Sequence, residues 1–316
     1  MGAYLTRRAL GLIPMLIAIS AIVFGILHMI PGGPLAVYLE NPYITPEQIE
    51  RLRQQLGLDQ PLPVQYGLWL KAFVLGDWGY SFVSRRPAVD VVLERVPATV
   101  QLMGAAFVLA GLVALPLGIL SALRQYSKLD YFATASAFFG ISMPVFWFGL
   151  MLQLTFAVWL GWLPSAGMIE IGDGSLVDRL RHLVLPATVL SLLYAARWTR
   201  YVRAAMLEVI NQDYIRVARA KGLYERSVIS NHALRNALIP VITVVAVDVA
   251  ALFSGAVVTE KVFAWPGMGQ LFVDSVLKVD YTVLMGILMV GSAAVLAFNL
   301  VADVLYVALD PRIRYE

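Results

Sequence analysis

A chain of 316 residues that is 59% apolar and only 14% charged, with a mean hydropathy of +0.74, carries too little charge to cover the surface of a water-soluble globule of its size. The composition specifies a membrane protein, and the absence of cysteine excludes disulfides, thiolate metal sites and cysteine redox motifs. The net charge of +3 and the pI near 9.1 need no nucleic acid to explain them if the basic residues turn out to be sorted by membrane side.

Taken in order, uncharged runs over 9–39, 96–123, 131–169 and 281–302 each exceed the roughly 20 residues that a spanning helix needs. Two weaker candidates lie at 183–202, whose uncharged part ends at Ala196, and 238–259, interrupted by Asp248. The expectation is an all-α polytopic membrane protein with six transmembrane helices and a structured outer segment between the first two. Arg7 and Arg8 precede the first span, which is longer than the core of a secretory signal and is followed by no clean small-x-small cleavage site, so it is expected to stay. With the N-terminus inside, the inner loops 124–130 and 197–237 hold 10 basic residues in 48, against 10 in 112 for the outer segments 31–97, 161–182 and 260–282. The basic tails at Arg7, Arg8, Arg312 and Arg314 agree, which puts both termini on the cytoplasmic side. The organisation read from this is a tail and first span over 1–30, an extracytoplasmic segment over 31–97, and a five-helix core over 98–316.

Within the outer segment, Thr45 and Gln48 fit a capping box with Pro46 at the first helical position, and Ile49, Leu52 and Leu56 share a face before Gly57 ends the helix. The apolar stretch 64–75, with Trp69 and Phe73, suits the membrane surface. This segment reads either as a cap over the outer face or as a contact for an external protein. Pro14, Pro116, Pro144, Pro186 and Pro240 fall inside or at the ends of spans, where the missing amide bends a helix. Between 131 and 163 the sequence is rich in Phe and Trp, suited to lipid, neighbouring helices and the interfacial belt.

The longest soluble-looking stretch between apolar runs, 213–240, reads as helix, turn, helix. Gly222 sits where a helix end calls for positive φ, with Arg219 and Lys221 against the negative end of the dipole, and a second helix is expected from about Glu225 to Leu238, ahead of Pro240. Ala218, Ala220 and Gly222 remove bulk, while Arg216, Arg219, Lys221 and Arg226 ring the notch with charge, a surface built to dock. A DNA-reading helix-turn-helix is the competing interpretation, disfavoured by tethering between two spans. Inside the spans, an unpaired Asp248 costs roughly 2.5–3.5 kcal/mol and must find water or a partner. Asn299, Asp303, Tyr306 and Asp310 share one face of the last helix, where Asp303 is expected to tie that helix to the basic inner loop. The segment 266–280, entered through Trp265, Pro266 and Gly267, reads as a short helix at the outer mouth and a candidate gate. His28, His182 and His232 stand apart, so no histidine metal site is expected. No phosphate loop, nucleophile elbow or HExxH motif is present, so no catalytic residue is assigned and any energy source must lie on another chain.

The residues ARAKG (218–222) followed by HALRNALIP (232–240) resemble the cytoplasmic loop motif of ABC-importer permeases, in the version of the dipeptide, oligopeptide and nickel family. RRALGLIP near the start, LGLDQPLPVQYGLWL (56–70), LGWLPSAG (160–167), VFAWPGMGQL (262–271) and DVLYVALDPRIR (303–314) extend the likeness along nearly the whole chain. Where the wider permease motif opens with Glu-Ala-Ala, this chain has Arg216, Val217 and Ala218, so only Ala218 and Gly222 match it. The resemblance implies a type I ABC importer permease, the first of two homologous membrane subunits, without enzymatic activity of its own. It implies two cytoplasmic ATP-binding subunits holding ATP and Mg, an extracytoplasmic substrate-binding protein, residence in a prokaryotic cytoplasmic membrane, and no cofactor or nucleic acid bound by this chain. The coupling loop over 203–237 would seat Ala218, Arg219, Ala220, Lys221, Gly222, His232, Arg235 and Asn236 against the ATPase. Asp248, Asn299 and Asp303 are the candidates for the translocation path or for structural pairing. Di- or oligopeptides are the implied cargo, with nickel or another small solute as the alternative within the family. An ion-gradient-driven secondary carrier is the competing class, and Asp248 alone is thin support for it.

Overall fold

The structure, a computed structural model, describes residues 2–35, 39 and 43–309; the basic tail at Arg312 and Arg314 and the position of Asp310 lie outside them. Among the described residues the chain is all-helical, apart from an isolated antiparallel bridge between Tyr80 and Pro87. The helices are α1 (Gly2–His28), α2 (Pro46–Gln55), α3 (Leu62–Val74), α4 (Ala88–Leu93), α5 (Val96–Leu123), α6 (Lys128–Ser142), α7 (Val145–Leu152), α8 (Leu176–Ile210), α9 (Asp213–Ala220), α10 (Arg235–Val262), α11 (Met268–Leu277) and α12 (Tyr281–Leu309). A π-helical stretch, Gln153–Trp159, extends α7, and a turn at Glu225–Ser227 with a second π-helical stretch, Val228–Leu234, leads from α9 into α10.

Among the described residues four helices are long and apolar enough to cross a membrane: Leu10–His28, Ala88–Leu123, Glu225–Val249 and Tyr281–Val304. A fifth crossing arises if Lys128–Ser142 and Val145–Trp159 are counted as one broken span, so length and composition alone mark four or five of the six expected crossings among the described residues. The expected single run over 131–169 is broken by a bend of 106°. Met143 is extended (ψ 124°) because the ring of Pro144 crowds out the helical conformation of the residue before it. The weaker candidate at 183–202 is helical, but it lies inside the 35-residue α8, whose Arg197 and Arg200 dilute its apolar character. Pro240 does not end a helix as expected. It lies inside α10, which runs on to Val262, one lost amide bond being tolerable where packing holds both sides.

Contacts divide the chain into two compact units, Met1–Thr99 with Pro266–Leu296, and Val100–Trp265 with Ala297–Glu316. In the first, the capping box forms: Thr45 Oγ1 accepts from the Gln48 amide at 3.3 Å, and Gln48 Oε1 accepts from the Thr45 amide at 3.0 Å. Tyr66 and Trp69 of α3 pack on Phe24 of α1 beside Tyr281, Leu284 and Met285, and the Tyr66 hydroxyl donates to the Ile17 carbonyl at 3.1 Å. Asp280 is 3% exposed and organises the loop after Tyr80, accepting from the Ser81 hydroxyl and from the amides of Phe82 and Val83.

The second unit is built on α8, which packs against α6, α7 and α10. At Gly118 of α5 a Cβ would lie 2.7 Å from Val202 Cβ and 2.9 Å from the Thr199 carbonyl oxygen, so only glycine lets α5 and α8 come this close. Gly140 of α6 plays a milder version of the same part against Ala196. Leu185 and Val189 bury themselves with Phe263 among Phe148, Leu152 and Phe156.

Candidate functional site

Two constructions in the second unit carry the chemistry. The first is the protruding segment 213–234. Helix α9 ends in a Schellman motif: the Gly222 amide donates to the Arg219 carbonyl at 2.9 Å, and the Leu223 amide to the Ala218 carbonyl at 3.4 Å, with Gly222 at φ +78°. Nothing lies within 4 Å of where a Gly222 side chain would start, so the glycine serves the backbone conformation and leaves open space beside it. Arg219 closes the turn from outside, giving Nε and Nη2 to the Glu225 carboxylate at 3.2 and 2.7 Å, and this pairing pushes the guanidinium up from its ordinary pKa.

The inner face of this segment is apolar and enclosed. Ile215 and Ala218 join Val228, Ala233 and Ala237 in a cluster with Ala122 of α5, Val202, Ala205 and Met206 of α8, and Val241 of α10. Ala218 therefore faces inward, at 7% exposure, and is no part of the docking notch expected from sequence. The outward face presents Tyr214, Arg216, Val217, Ala220, Lys221, Gly222, Leu223 and Tyr224. Behind it, close-packed apolar side chains join the segment to α5, α8 and α10. His232 is half-buried in the π-helical stretch, and its carbonyl accepts from Asn236 Nδ2 at 2.8 Å, while Arg235 and Asn236 themselves are exposed.

The second construction is a ladder of arginines on α8 at steps of three. Arg203 places Nε and Nη2 on the two oxygens of Asp130 at 2.6 and 2.8 Å, a bidentate pair. Asp130, at 3% exposure, also accepts from the Tyr126 amide at 2.9 Å and from the Ser121 hydroxyl. Arg197 reaches Asp248 of α10 at 2.7 Å, and Trp198 Nε1 donates to the other oxygen of that carboxylate at 2.8 Å. Asp248 is thus a buried, doubly satisfied partner of α8. Between these two, the Arg200 guanidinium sits 4.9 Å from the centre of the Phe138 ring of α6. Sequence reading passed over Arg197, Arg200, Arg203 and Asp130. The available signal was three arginines at i, i+3 and i+6 beside an apolar run, which places them on one helical flank.

The other expected positions are scattered. Asn299 is exposed on α12 and Asp303 is half-buried near its end, while the Tyr306 side chain lies outside the described ones. Trp265 is wholly enclosed, its amide donating to the Glu260 carbonyl at 2.8 Å. Pro266 and Gly267 lead into α11, whose first amide, on Met268, donates to Thr99 Oγ1 at 2.8 Å. His182 is paired rather than isolated: its Nδ1 lies 3.0 Å from Asp178 Oδ1, and Asp178 in turn accepts from the Glu170 amide. Among the described residues no group of three His, Asp or Glu could hold a metal ion.

Residues 1–103 match the N-terminal model of binding-protein-dependent transport system membrane components, and 114–315 match the inner membrane component itself. The chain is 43% identical to the oligopeptide transport system permease protein AppB of Bacillus subtilis over 317 residues, covering 100% of both. It is also 41% identical to the glutathione transport system permease protein GsiC of Escherichia coli over 313 residues, 99% of both. Among solved structures, an inward-facing MetNI methionine ABC transporter chain aligns with a TM-score of 0.59 at 19% identity, over 71% of this chain and 98% of that one, a likeness of fold alone. The fold is that of a type I importer permease, and the chain belongs to the family of binding-protein-dependent transport system inner membrane components.

Proposed function

We propose that this chain is one of two homologous permease subunits that form the translocation path of an ATP-driven importer of short peptides. On this reading ATP and Mg are held by two cytoplasmic partner subunits, and an extracytoplasmic protein delivers the cargo. The peptide class is supported by relatives over 40% identical along their full length that are named for oligopeptide and glutathione transport. The segment 213–234 is the coupling element and lies on the cytoplasmic side with both termini, consistent with the arginines concentrated there.

The single observation that carries the mechanism is the two-faced construction of α9 and its glycine turn. One face is exposed and bears charge and small residues, and the other is locked into a cluster shared by α5, α8 and α10. Closure of the ATPase pair on ATP would pull the exposed face, and the three long helices would follow as one body. Such coupling needs only a few kcal/mol of bias between two states. Of the positions expected for the path or for structural pairing, Asp248 is proposed as a structural partner of α8, Asn299 and Asp303 are proposed to line the path or pair beside it, and the segment that starts at Trp265, Pro266 and Gly267 is proposed as part of the outer gate.

Gly222→Val tests the assignment. The branched side chain opposes φ +78° at a site with no clash to relieve, so the complex is expected to assemble and hydrolyse ATP while peptide uptake into vesicles falls by tenfold or more. Uptake per ATP equal to wild type refutes the coupling role.

A further inference from the structure

A cavity of about 410 Å³ opens in the first unit, where α1 ends, α3 runs past it and α12 begins. Phe24, Trp69, Trp78, Phe82 and Tyr281 make its wall aromatic, and no lysine or arginine is among the described residues that line it. Asp77 adds an exposed carboxylate. Two further lining residues carry acceptors that no described donor satisfies. The Gln65 amide nitrogen donates to the Leu58 and Gln60 carbonyls at 3.2 and 2.7 Å, which fixes the side chain's orientation and leaves Oε1 buried and unpartnered. His28 Nδ1 lies 2.8 Å from the Phe24 carbonyl, an oxygen that can only accept, so in the neutral ring the proton is on Nδ1. Nε2 is then a bare lone pair, also buried and unpartnered. Acceptors kept dry retain their negative potential, and the ring faces add to it, so the wall favours a cation that this chain does not supply.

The level of the cavity says which cation. His28 and Tyr281, joined by a hydrogen bond of 2.9 Å between Nδ1 and the hydroxyl, are end residues of two apolar spans, Leu10–His28 and Tyr281–Val304. The first has 19 residues, about 28 Å of helix, close to the roughly 30 Å of a hydrocarbon layer, and Arg7 and Arg8 hold its other end outside. Its His28 end therefore lies at headgroup depth. Helix α3 fits the same level: it is apolar, at 13 residues too short to cross, and leaves Leu62, Val64, Leu68 and Val74 exposed, as a helix lying in the interface does. We propose that the cavity binds the ammonium headgroup of a phospholipid, phosphatidylethanolamine or a methylated form. The cation sits against the Trp69 and Trp78 rings, with the Asp77 carboxylate as its counter-charge and the dry oxygen and nitrogen of Gln65 and His28 deepening the potential behind it. A bound lipid of this kind pins the end of α1 to α3 and α12.

The experiment uses the whole complex, purified in mixed micelles that hold equal amounts of phosphatidylethanolamine, its N-acetyl derivative and phosphatidylglycerol, and reads the retained lipids by native mass spectrometry. N-acetylation removes the ammonium and keeps the phosphate and the chains. Wild type is expected to retain phosphatidylethanolamine at least tenfold over either of the others. Asp77→Asn keeps an acceptor for the Gly79 amide, which Asp77 holds at 3.0 Å, so the turn survives while the charge is lost. It is expected to lower the preference at least fivefold, and Trp69→Phe, which keeps an apolar ring but a weaker π face, at least twofold. Equal retention of the three lipids by wild type overturns the proposal without recourse to any variant. So does a preference that both variants leave unchanged, which puts the lipid elsewhere on the complex. Displacement of the retained lipid by a saturating transported peptide also overturns it, in favour of the ammonium at the N-terminus of the cargo.

Discussion

Removing one half of the Asp130–Arg203 pair should have unequal consequences depending on which half is removed. Asp130 is enclosed, whereas 27% of the Arg203 side chain is exposed. Arg203→Met strips two charge-assisted bonds from a carboxylate that water cannot reach, leaving only the Ser121 hydroxyl and the Tyr126 amide to support it. Breaking a buried pair in this way costs about 3–5 kcal/mol. Asp130→Asn is milder, because the partly exposed guanidinium can rehydrate and the amide oxygen can still accept; the loss of charge assistance amounts to about 2–3 kcal/mol. In the double variant the stranded charge is gone, so the combined cost should fall short of the sum by at least about 1.5 kcal/mol. Equilibrium unfolding of the four proteins in mixed micelles, titrated with a denaturing detergent and followed by tryptophan fluorescence, measures the cycle. Additive losses, or Asp130→Asn proving the costlier single change, would refute the view that one carboxylate ties α5, α6 and α8 together.

Gly118→Ala should destabilise by about 1–3 kcal/mol, since its Cβ would meet Val202 Cβ and the Thr199 carbonyl at under 3 Å and α5 must move off α8; an unchanged melting temperature would show that the close approach is dispensable. At Val279 a β-branched residue occupies φ +50° in the turn after α11, where the Asp280 amide donates to the Ser275 carbonyl at 2.9 Å. Val279→Gly removes a left-handed penalty of about 1–2 kcal/mol and is expected to raise the melting temperature, against the usual effect of glycine. A lower melting temperature would count against it.

Local chemistry was legible in the sequence wherever one residue decides one conformation. The box at Thr45 and Gln48 and the positive φ at Gly57 and Gly222 are set by backbone and side-chain geometry within a few residues, and the structure has each. Apolar runs located the spans but not their breaks, because a hydropathy sum over 131–169 is indifferent to the one proline that makes Met143 extended. Pro240 misled in the opposite direction. A local rule ends a helix there, yet packing of α10 against α8 carries the helix through. The partners of Asp248 and Asp130 were beyond reach for another reason. They lie 51 and 73 residues away along the chain, and nothing in the sequence reports such distances without the fold. Ala218 shows the same limit: a small residue serves a notch or a tight internal contact equally well, and only the cluster around Ile215 decides between them.

The ladder on α8 also sets a schedule for biogenesis. Asp130 is already made when Arg203 leaves the ribosome, so that clasp can close as α8 is laid down. The counter-charge for Arg197 is translated 51 residues later. At roughly 5–20 residues per second, the nascent chain must hold that arginine uncompensated for several seconds. Insertion is thereby divided into an early latch and a late one, and loss of Asp248 would strand the polypeptide at the second.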